Sequence, residues 1–461
     1  MIREHCGIFG ISGNPNAVKN TYLGLYALQH RGEESAGIAS AYNNEINVYK
    51  GLGLVADVFD IQKTYKISGA SAIGHVRYST TGNTTLSNAQ PIIAHYKDQT
   101  FAAAHNGNIV NAGVLKKRLI KEGIKFETTS DSEVFLKLLI KNLKYGFEEA
   151  IKKSANIIKG AFSIIILTNK GKIAAIKDCN GFRPLCLGKT EKNYIFASET
   201  CALDINGARL VKELDPGEIL IVNKNKIKSV KNKKRKKSFC IFEYIYFARP
   251  DSIIFDKTVY NVRKKFGEKL AAESSAKADM VIPLPDSGNY AALGYSQATD
   301  IPFELAMIKN QYIGRTFIQP EQIMREIGIK IKLNPAKEIL KNKEIAIVDD
   351  SLVRGSTIKM TTKILRKAGV KKIHLKIASP AHKYPCPYGI DFSDKKELFA
   401  ANKTIDEMKE FFKIDSIAYL SIAGLLEATG IKEPENFFCK ACFDGIYPVK
   451  FDIGAGNNSC V

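Results

Sequence analysis

Short apolar runs separated by turn residues dominate the chain up to about residue 235. The runs CGIFGIS, INVYKG, AFSIIILT, KIAAIKD and YIFAS are typical of strands, and Gly and Asn residues lie between them. Helical spacing of apolar residues occurs near residues 17–30 and 131–145. Because the apolar face of each strand and helix must be covered, this pattern predicts stacked sheets flanked by helices, an α+β arrangement.

Beyond about residue 240, apolar strands alternate with helices. DMVIPLP precedes a Gly/Ala-rich stretch, and EIAIVDD precedes the helical TIKMTTKILRKAG and then the strand-like KKIHLKIAS. Such alternation is typical of an α/β domain built on a parallel sheet. We therefore predict two unlike domains, at residues 6–235 and 236–461.

Length, cysteine content and the lack of long apolar spans narrow the class of protein. A length of 461 residues suits two or three domains. The nine cysteines are an odd number scattered over the chain, which is typical of a reducing compartment. There is no apolar run of about 18 residues and no signal-like start. We expect a cytoplasmic protein without a membrane partner.

The formal net charge of +21 fits nucleic-acid binding, an anionic small substrate or a generally lysine-rich composition. The densest basic run, residues 224–237 (KNKIKSVKNKKRKK), contains no acidic residue and no aromatic residue. Aromatic side chains are what stack on bases in single-stranded nucleic-acid sites. We therefore expect this run to be a solvated turn or interdomain linker, and we expect no nucleic-acid partner.

A phosphate-binding pattern occurs in EIAIVDDSLVRGSTIKM, residues 344–360. An apolar strand ends in Asp349 and Asp350, and a polar loop at residues 351–357 opens a helix whose N–H groups and hydroxyls suit a phosphate. The two acids suit ribose hydroxyls and a magnesium ion, although a capped turn with solvated acids has a similar pattern. A second strand end, VIPLPDSG at residues 281–288, places Ser287 where a diphosphate and its metal could bind.

Together these segments resemble the phosphoribosyltransferase family, type I. The resemblance implies that Asp349 and Asp350 hold phosphoribosyl pyrophosphate and one Mg²⁺ per subunit, with Ser287 as a further metal contact. KNQYIGRTFIQP, residues 309–320, resembles the family's mobile loop, in which Gln311 replaces a common arginine. The implied substrate-binding residues of the phosphate loop and the mobile loop are Ser351, Arg354, Gly355, Ser356, Thr357 and Lys309.

A candidate nucleophile, Cys6, lies in EHCGIFGI near the start of the chain. Removal of a leader, residues 1–5, would free an α-amine with a pKa of about 8, a suitable general base for the adjacent thiol. Four further segments resemble class II glutamine amidotransferases. They are LQHRGEESAGI (28–38), GHVRYSTTG (74–82), HNGNIVN (105–111) and TTSDSEV (128–134).

The resemblance implies an N-terminal-nucleophile (Ntn) hydrolase domain, an αββα sandwich, and a role for each motif. Arg77 would bind the glutamine carboxylate and Asp131 its amino group, while Asn106 and the Gly107 N–H would form the oxyanion hole. Taken singly, Arg77 fits a surface ion pair, Asp131 a helix N-terminal acid and Cys6 a buried thiol. Three histidines inside these motifs are expected to be structural: His30, His75 and His105.

A class II glutaminase followed by a phosphoribosyltransferase resembles the amidophosphoribosyltransferase family. FEYIYFARPDS (242–252), PDSGNYAALGY (285–295) and ACFDGIYP (441–448) support this resemblance. It implies the first committed step of purine synthesis, in which glutamine, water and phosphoribosyl pyrophosphate give 5-phosphoribosylamine, glutamate and pyrophosphate with internal transfer of ammonia. It also implies feedback inhibition by AMP and GMP and a homotetramer or homodimer.

Cysteines in the second half form a possible metal site, with one pair spaced C-x-x-C, and the spacing fits zinc as well as iron. They match the ligands of one 4Fe-4S cluster per subunit in the subgroup that resembles the Bacillus enzyme. Four buried thiols without a metal are the alternative. The residues are Cys240, Cys386, Cys439 and Cys442.

Other functions share parts of this pattern. The phosphoribosyltransferase fold also occurs in regulatory proteins that bind phosphoribosyl pyrophosphate, but these would not need the glutaminase motifs. Glucosamine-6-phosphate synthases and asparagine synthetases have such a glutaminase, but they would not need the VDDSLVRGST loop. The sequence therefore favours the two-site enzyme.

Overall fold

A computed structural model of the protein describes residues 6–59, 68–78, 85–230, 232, 236–310, 333–392 and 394–449. Two antiparallel sheets form the first half of the chain. The first sheet contains seven strands in the order β11-β9-β10-β1-β4-β2-β3. Its strands are β1 (Gly7–Ser12), β2 (Ser35–Tyr42), β3 (Glu45–Leu52), β4 (Ser71–Arg77), β9 (Cys186–Lys189), β10 (Tyr194–Ala197) and β11 (Arg209–Glu213). The second contains six, in the order β13-β12-β8-β7-β6-β5. They are β5 (Ile92–Tyr96), β6 (Gln99–Ile109), β7 (Gly160–Thr168), β8 (Ile173–Lys177), β12 (Ile219–Asn223) and β13 (Lys226–Val230).

The sheets stack face to face, with helices outside. Ile8 and Ile73 of the first sheet meet Ile165 of the second in a buried apolar layer. Helix Ala17–Ala27 packs on the outer face of the first sheet. The outer face of the second sheet is covered by three helices: Ala112–Lys121, Asp131–Asn142 and Phe147–Ile157. The αββα sandwich is confirmed. Helices Ala112–Lys121 and Phe147–Ile157 were absent from the sequence-based prediction.

A parallel sheet forms the centre of the second half, as predicted. Its four strands, in the order β17-β20-β21-β22, are β17 (Met280–Pro283), β20 (Glu344–Asp349), β21 (Lys372–Ile377) and β22 (Ser416–Tyr419). The helices of eight or more residues are Val259–Glu273, Asn289–Thr299, Ser356–Lys367 and Ile405–Phe412. Shorter pairs are β15 (Ile253–Ile254) with β16 (Lys257–Thr258) and β18 (Met307–Lys309) with β19 (Leu333–Pro335). Among the described residues of this half, the shorter helices are Lys337–Leu340, Phe399–Asn402, Ile422–Ala428, Ala441–Asp444 and the π-helix Glu243–Phe247. The first half also contains the short helices Val55–Val58 and Cys201–Asp204.

The junction of the halves lies after β13, which ends at Val230. The next strand, β14 (Phe239–Cys240), pairs in parallel with β23 (Phe438–Cys439). The C-terminal part of the chain therefore returns to the start of the second half.

The basic run differs in part from its prediction. Lys224 lies in a turn, but residues 226–230 form β13, an edge strand that pairs with β12. A linker interpretation is therefore wrong for these five residues. Exposed lysines on an edge strand disfavour pairing with another chain. Residues 231 and 233–235 of the run lie outside the described residues.

Among the helices of the described residues, none has the length and apolar character needed to cross a membrane.

Candidate active sites

Cys6 precedes β1 and is buried, with 7% of its surface exposed. Its Sγ donates to the Tyr78 carbonyl oxygen at 3.4 Å, and its own carbonyl oxygen accepts from Arg31 Nε at 3.2 Å. Burial raises the pKa of the Cys6 thiol to about 12, although the charge of Arg77 opposes this. The thiol is therefore neutral at physiological pH and needs a base to become a nucleophile. Residues 1–5 lie outside the described residues, as do residues 79–82 of the GHVRYSTTG motif.

Asn106 and Gly107 lie near the end of β6, referred to below as the oxyanion strand. The Asn106 side chain is fully buried, and within the described part of the chain neither its Nδ2 nor its Oδ1 has a hydrogen-bond partner. Gly107 has φ +144°, and a Cβ there would lie 2.0 Å from the Ala161 carbonyl oxygen. A buried amide without a partner is costly, so this geometry suits a donor that is satisfied by a ligand.

Arg77 and Asp131 are both buried, and the charges of both act on the Cys6 thiol. Arg77 ends β4, and Asp131 begins the helix Asp131–Asn142, where its Oδ2 accepts from Ile109 N at 2.9 Å. Burial opposes ionisation of Asp131, but His105 and the backbone N–H groups of Ile109 and Ser132 together outweigh it, so the pKa of the carboxyl lies below its usual value. The structure thus brings a cation and an anion to the nucleophile, as an amino-acid substrate requires.

The three motif histidines contact protein groups. His30 Nε2 lies 2.7 Å from Glu199 Oε1. His75 Nε2 lies 3.0 Å from the His105 carbonyl oxygen, and His105 Nδ1 lies 3.0 Å from Ser132 Oγ. These contacts fit structural roles.

The loop before Asp131 is held by Glu133. Its carboxylate accepts from Glu127 N at 2.9 Å, from Thr128 N at 2.7 Å and from Thr128 Oγ1 at 2.8 Å. Glu133 is only 3% exposed. Within the motif TTSDSEV, Glu133 therefore holds the loop that leads to Asp131, the residue whose charge acts on the Cys6 thiol.

The second site lies at the C-terminal end of the parallel sheet. Asp349 ends β20, and residues 351–357, the phosphate loop, lead into the helix Ser356–Lys367. Ser287 and Ser351 both donate hydrogen bonds to Asp350. Lys309 pairs with Asp286. Gly355, at the helix N-cap, has φ +74°, which favours glycine.

Burial raises the pKa values of Asp349 and Asp350, and at Asp349 the neighbouring Asp350 charge adds to this effect. Two buried, adjacent carboxylates are costly when both are ionised unless a cation is present. With the Ser287 hydroxyl they form an oxygen donor set of the kind that Mg²⁺ prefers, usually completed by water and substrate phosphates.

Four cysteines of the second half line one cavity together with Phe182, Arg183 and Tyr388; they are Cys240, Cys386, Cys439 and Cys442. Cys240 and Cys439 are cross-strand partners in the β14–β23 pair. Across the described ranges, no group of three His, Cys, Asp or Glu side chains is spaced for a single metal ion. A cluster of four irons takes one thiolate per iron, so its ligands stand farther apart than those of one ion.

A buried ion network crosses the junction between the halves. Arg31 contacts Glu199 at 2.5 Å and Glu243 at 2.9 Å, and Arg183 contacts Glu243 at 3.4 Å, with all four side chains fully buried. The sequence pattern did not predict this network. The feature of the sequence that could have indicated it is a charged residue within each of two motifs, Arg31 in LQHRGEESAGI and Glu243 in FEYIYFARPDS.

Residues 386–392, named here the Cys386 segment, lie against the oxyanion strand. Asn108 Nδ2 donates to the Pro387 carbonyl oxygen at 2.8 Å. A Cβ on Gly389 would lie 3.1 Å from Asn108 Cβ and 3.4 Å from the Gly107 carbonyl carbon. The second half therefore supports the site built around Cys6.

Comparison with known proteins agrees with this division. Residues 75–204 match a model described as a glutamine amidotransferase domain, and residues 255–398 match a phosphoribosyl transferase domain. Amidophosphoribosyltransferase of Bacillus subtilis (strain 168) is 43% identical over 453 residues, which are 97% of this chain and 95% of the relative. The enzyme of the same name from Staphylococcus aureus (strain Mu50) is 44% identical, with coverages of 97% and 91%.

Two solved structures are similar over almost the whole chain. Glutamine phosphoribosylpyrophosphate amidotransferase from B. subtilis, complexed with ADP and GMP, has a TM-score of 0.92 and 42% identity, and covers 98% of this chain and 99% of its own. A structure described as the allosteric regulatory enzyme of purine biosynthesis has a TM-score of 0.92 and 42% identity, with coverages of 96% and 96%.

Proposed function

The chain belongs to the amidophosphoribosyltransferase family, and from this premise we propose how its residues divide the family reaction between two sites. Members are enzymes of purine biosynthesis that combine a glutamine amidotransferase with a phosphoribosyltransferase. Glutamine, water and phosphoribosyl pyrophosphate give 5-phosphoribosylamine, glutamate and pyrophosphate. The observation that carries the residue assignment is the buried amide of Asn106, for which the described part of the chain provides no hydrogen-bond partner.

In the first site, the Cys6 thiol loses its proton to the α-amine freed by cleavage after residue 5 and attacks the side-chain amide carbon of glutamine. Asn106 Nδ2 and Gly107 N–H donate to the oxyanion. Ammonia leaves, and water then hydrolyses the thioester to release glutamate and the thiol. Arg77 and Asp131 orient the substrate through its carboxylate and amino group.

In the second site, ammonia attacks C1 of the ribose and pyrophosphate leaves. Asp349 and Asp350 bind the ribose hydroxyls, Lys309 faces the pyrophosphate, and the phosphate loop provides N–H groups and hydroxyls to the 5-phosphate. Mg²⁺, held by Asp349, Asp350 and Ser287, would neutralise the pyrophosphate when bound. Residues 311–320 of the segment KNQYIGRTFIQP, Gln311 among them, lie outside the described residues.

The four thiols that line one cavity would hold a 4Fe-4S cluster, one per subunit. The cavity joins β14, β23 and the Cys386 segment, so a cluster would fasten three distant parts of the chain. Its role is then structural support. Iron and acid-labile sulfide in anaerobically purified protein, both lost in Cys240→Ser, would test this.

Further features are proposed from the family. Domains at 6–235 and 236–461 fit the gap between β13 and β14. Feedback inhibition by AMP and GMP is supported by the B. subtilis protein, whose structure contains ADP and GMP. A cytoplasmic location fits the eight described cysteines, none of which is in a disulfide. A homotetramer or homodimer is testable by light scattering.

The experiment is pyrophosphate release from phosphoribosyl pyrophosphate by anaerobically purified protein, driven by glutamine or by ammonia. Cys6→Ala should abolish the glutamine-driven rate and retain the ammonia-driven rate. Mass spectrometry of the active enzyme should show Cys6 as its first residue. Absence of both rates in wild type that still binds the ligand would contradict the enzyme assignment and favour a regulatory protein.

A further inference from the structure

Arg354 lies in the phosphate loop, but its guanidinium contacts a different part of the domain. Its Nη2 donates to the Asp391 carbonyl oxygen at 2.9 Å and to Glu397 Oε2 at 2.6 Å, while Nε donates to the same Glu397 oxygen at 3.1 Å. The edge of the guanidinium formed by Nε and Nη2, which could bind a phosphate through two donors, is therefore engaged by protein acceptors. This differs from the phosphate-binding role implied by the family resemblance.

The loop is anchored to the same region by its backbone. The Val353 carbonyl oxygen accepts from Phe399 N at 2.7 Å. Val353 is also buried in one apolar cluster with Ile390 and Leu398. The phosphate loop is thus attached at Val353 by both a backbone hydrogen bond and apolar packing, while the hydroxyls and N–H groups at residues 355–357 remain at the helix N-terminus.

The Cys386 segment is itself firmly held. Cys386 N donates to the Phe392 carbonyl oxygen at 3.1 Å. Arg183 Nη2 donates to the Tyr388 carbonyl oxygen at 2.7 Å, and the Tyr388 ring stacks on Phe182 with centroids 4.5 Å apart. Because Phe182 and Arg183 belong to the first half, the segment is a fixed support against which a loop can be positioned.

We propose that Arg354 is a positioning residue that fastens the phosphate loop to the Cys386 segment and Glu397 and does not bind the phosphate itself. This rests on the phosphoribosyl site proposed above. A phosphate that bound the Nε and Nη2 donors of Arg354 would have to displace Glu397, whereas a brace needs Glu397 to stay in place. The two roles therefore make opposite demands on Glu397, which contacts no residue assigned to catalysis.

The test measures the Kd of Mg²⁺-phosphoribosyl pyrophosphate by equilibrium dialysis on full-length, anaerobically purified protein. The variants are Arg354→Gln, Glu397→Gln, Glu397→Asp and the double variant Arg354→Gln/Glu397→Gln. Arg366→Gln is the matched control, because Arg366 lies in the helix that follows the loop and pairs with Asp415 at 2.7 Å with similar exposure. Thermal unfolding of every variant shows whether it is folded at the assay temperature.

As a brace, Arg354 should be needed together with Glu397. Glu397→Gln and Arg354→Gln should each raise the Kd about three- to tenfold. The Kd of the double variant should not exceed the Kd of whichever single variant binds more weakly. Glu397→Asp should raise the Kd by a smaller factor. In the ammonia-driven reaction, the KM of Glu397→Gln for phosphoribosyl pyrophosphate should rise in parallel with its Kd, while its kcat should change less than twofold. Equal or tighter binding by Glu397→Gln would overturn the proposal. If Arg354→Gln bound more weakly at the same time, Arg354 would be a phosphate ligand. Wild type that fails to bind would instead contradict the proposed function.

Discussion

Arg31 and Glu243 form a two-point ion pair across the junction of the two halves, with N–O distances of 2.9 and 3.0 Å and both side chains fully buried. The same guanidinium donates to the carbonyl oxygen of Cys6, the proposed nucleophile, at 3.2 Å. A residue of the second half thereby orients the cation that holds the first site in place.

Loss of this pair should weaken both the fold and the glutaminase. Glu243→Gln leaves Arg31 with one anionic partner, Glu199, and breaking a buried ion pair costs about 3 kcal/mol or more. We expect the thermal midpoint to fall by about 5–10 °C and the glutamine-driven rate to fall more than the ammonia-driven rate. Glu148→Gln is the control, since Glu148 pairs with Lys228 at the exposed surface and should shift the midpoint by less than about 2 °C. An unchanged midpoint in Glu243→Gln would contradict the prediction.

Asn106→Ala tests the oxyanion hole. Removal of one preorganised donor should lower the glutamine-driven kcat about 100- to 1000-fold, with the KM for glutamine little changed. The ammonia-driven rate of the same variant is the internal control and should be retained. Equal loss of both rates would mean that the Asn106 amide supports the fold and not the oxyanion.

Asp349→Asn tests the buried acid pair through pH. The pKa of Asp349 is higher in the folded state than its unfolded value, near 3.8. Such a carboxyl stabilises the fold fully when the pH is below the unfolded pKa, and this stabilisation is lost as the pH rises through the folded pKa. The variant should therefore melt about 2–5 °C higher than wild type at pH 8 without ligand, and the difference should shrink toward pH 4.5. Mg²⁺-phosphoribosyl pyrophosphate should stabilise wild type only. Asp406→Asn, at an exposed carboxyl, should show neither effect.

Gly389→Ala tests the contact between the Cys386 segment and the oxyanion strand. The new Cβ would press on Asn108 and Gly107, and the backbone has φ +97°. A displaced oxyanion donor should lower the glutamine-driven kcat/KM at least about tenfold. Gly123→Ala is matched for backbone strain, with φ +85°, but its Cβ meets nothing within 4 Å, so it should keep this activity. Equal effects of the two variants would mean that strain alone is responsible.

The sequence by itself determined the two domain types and most of the chemistry. Apolar strands that end in Asp349 and the motifs around Cys6, Asn106 and Asp131 are local patterns, because capping, strand alternation and loop chemistry depend on neighbours in the chain. Strand β13 and two helices of the sandwich were missed, since short elements are selected by packing on a sheet and not by their own propensity.

Only the tertiary structure decided how the sites are joined. Arg31 and Glu243 are 212 positions apart, and Asn108 and Pro387 are 279 apart, so no local pattern reveals their contacts. The direction of Arg354 was likewise decided by acceptors about 40 residues away. A buried charge adopts whatever arrangement satisfies it in the folded state, and that arrangement depends on residues that meet only after both domains have packed.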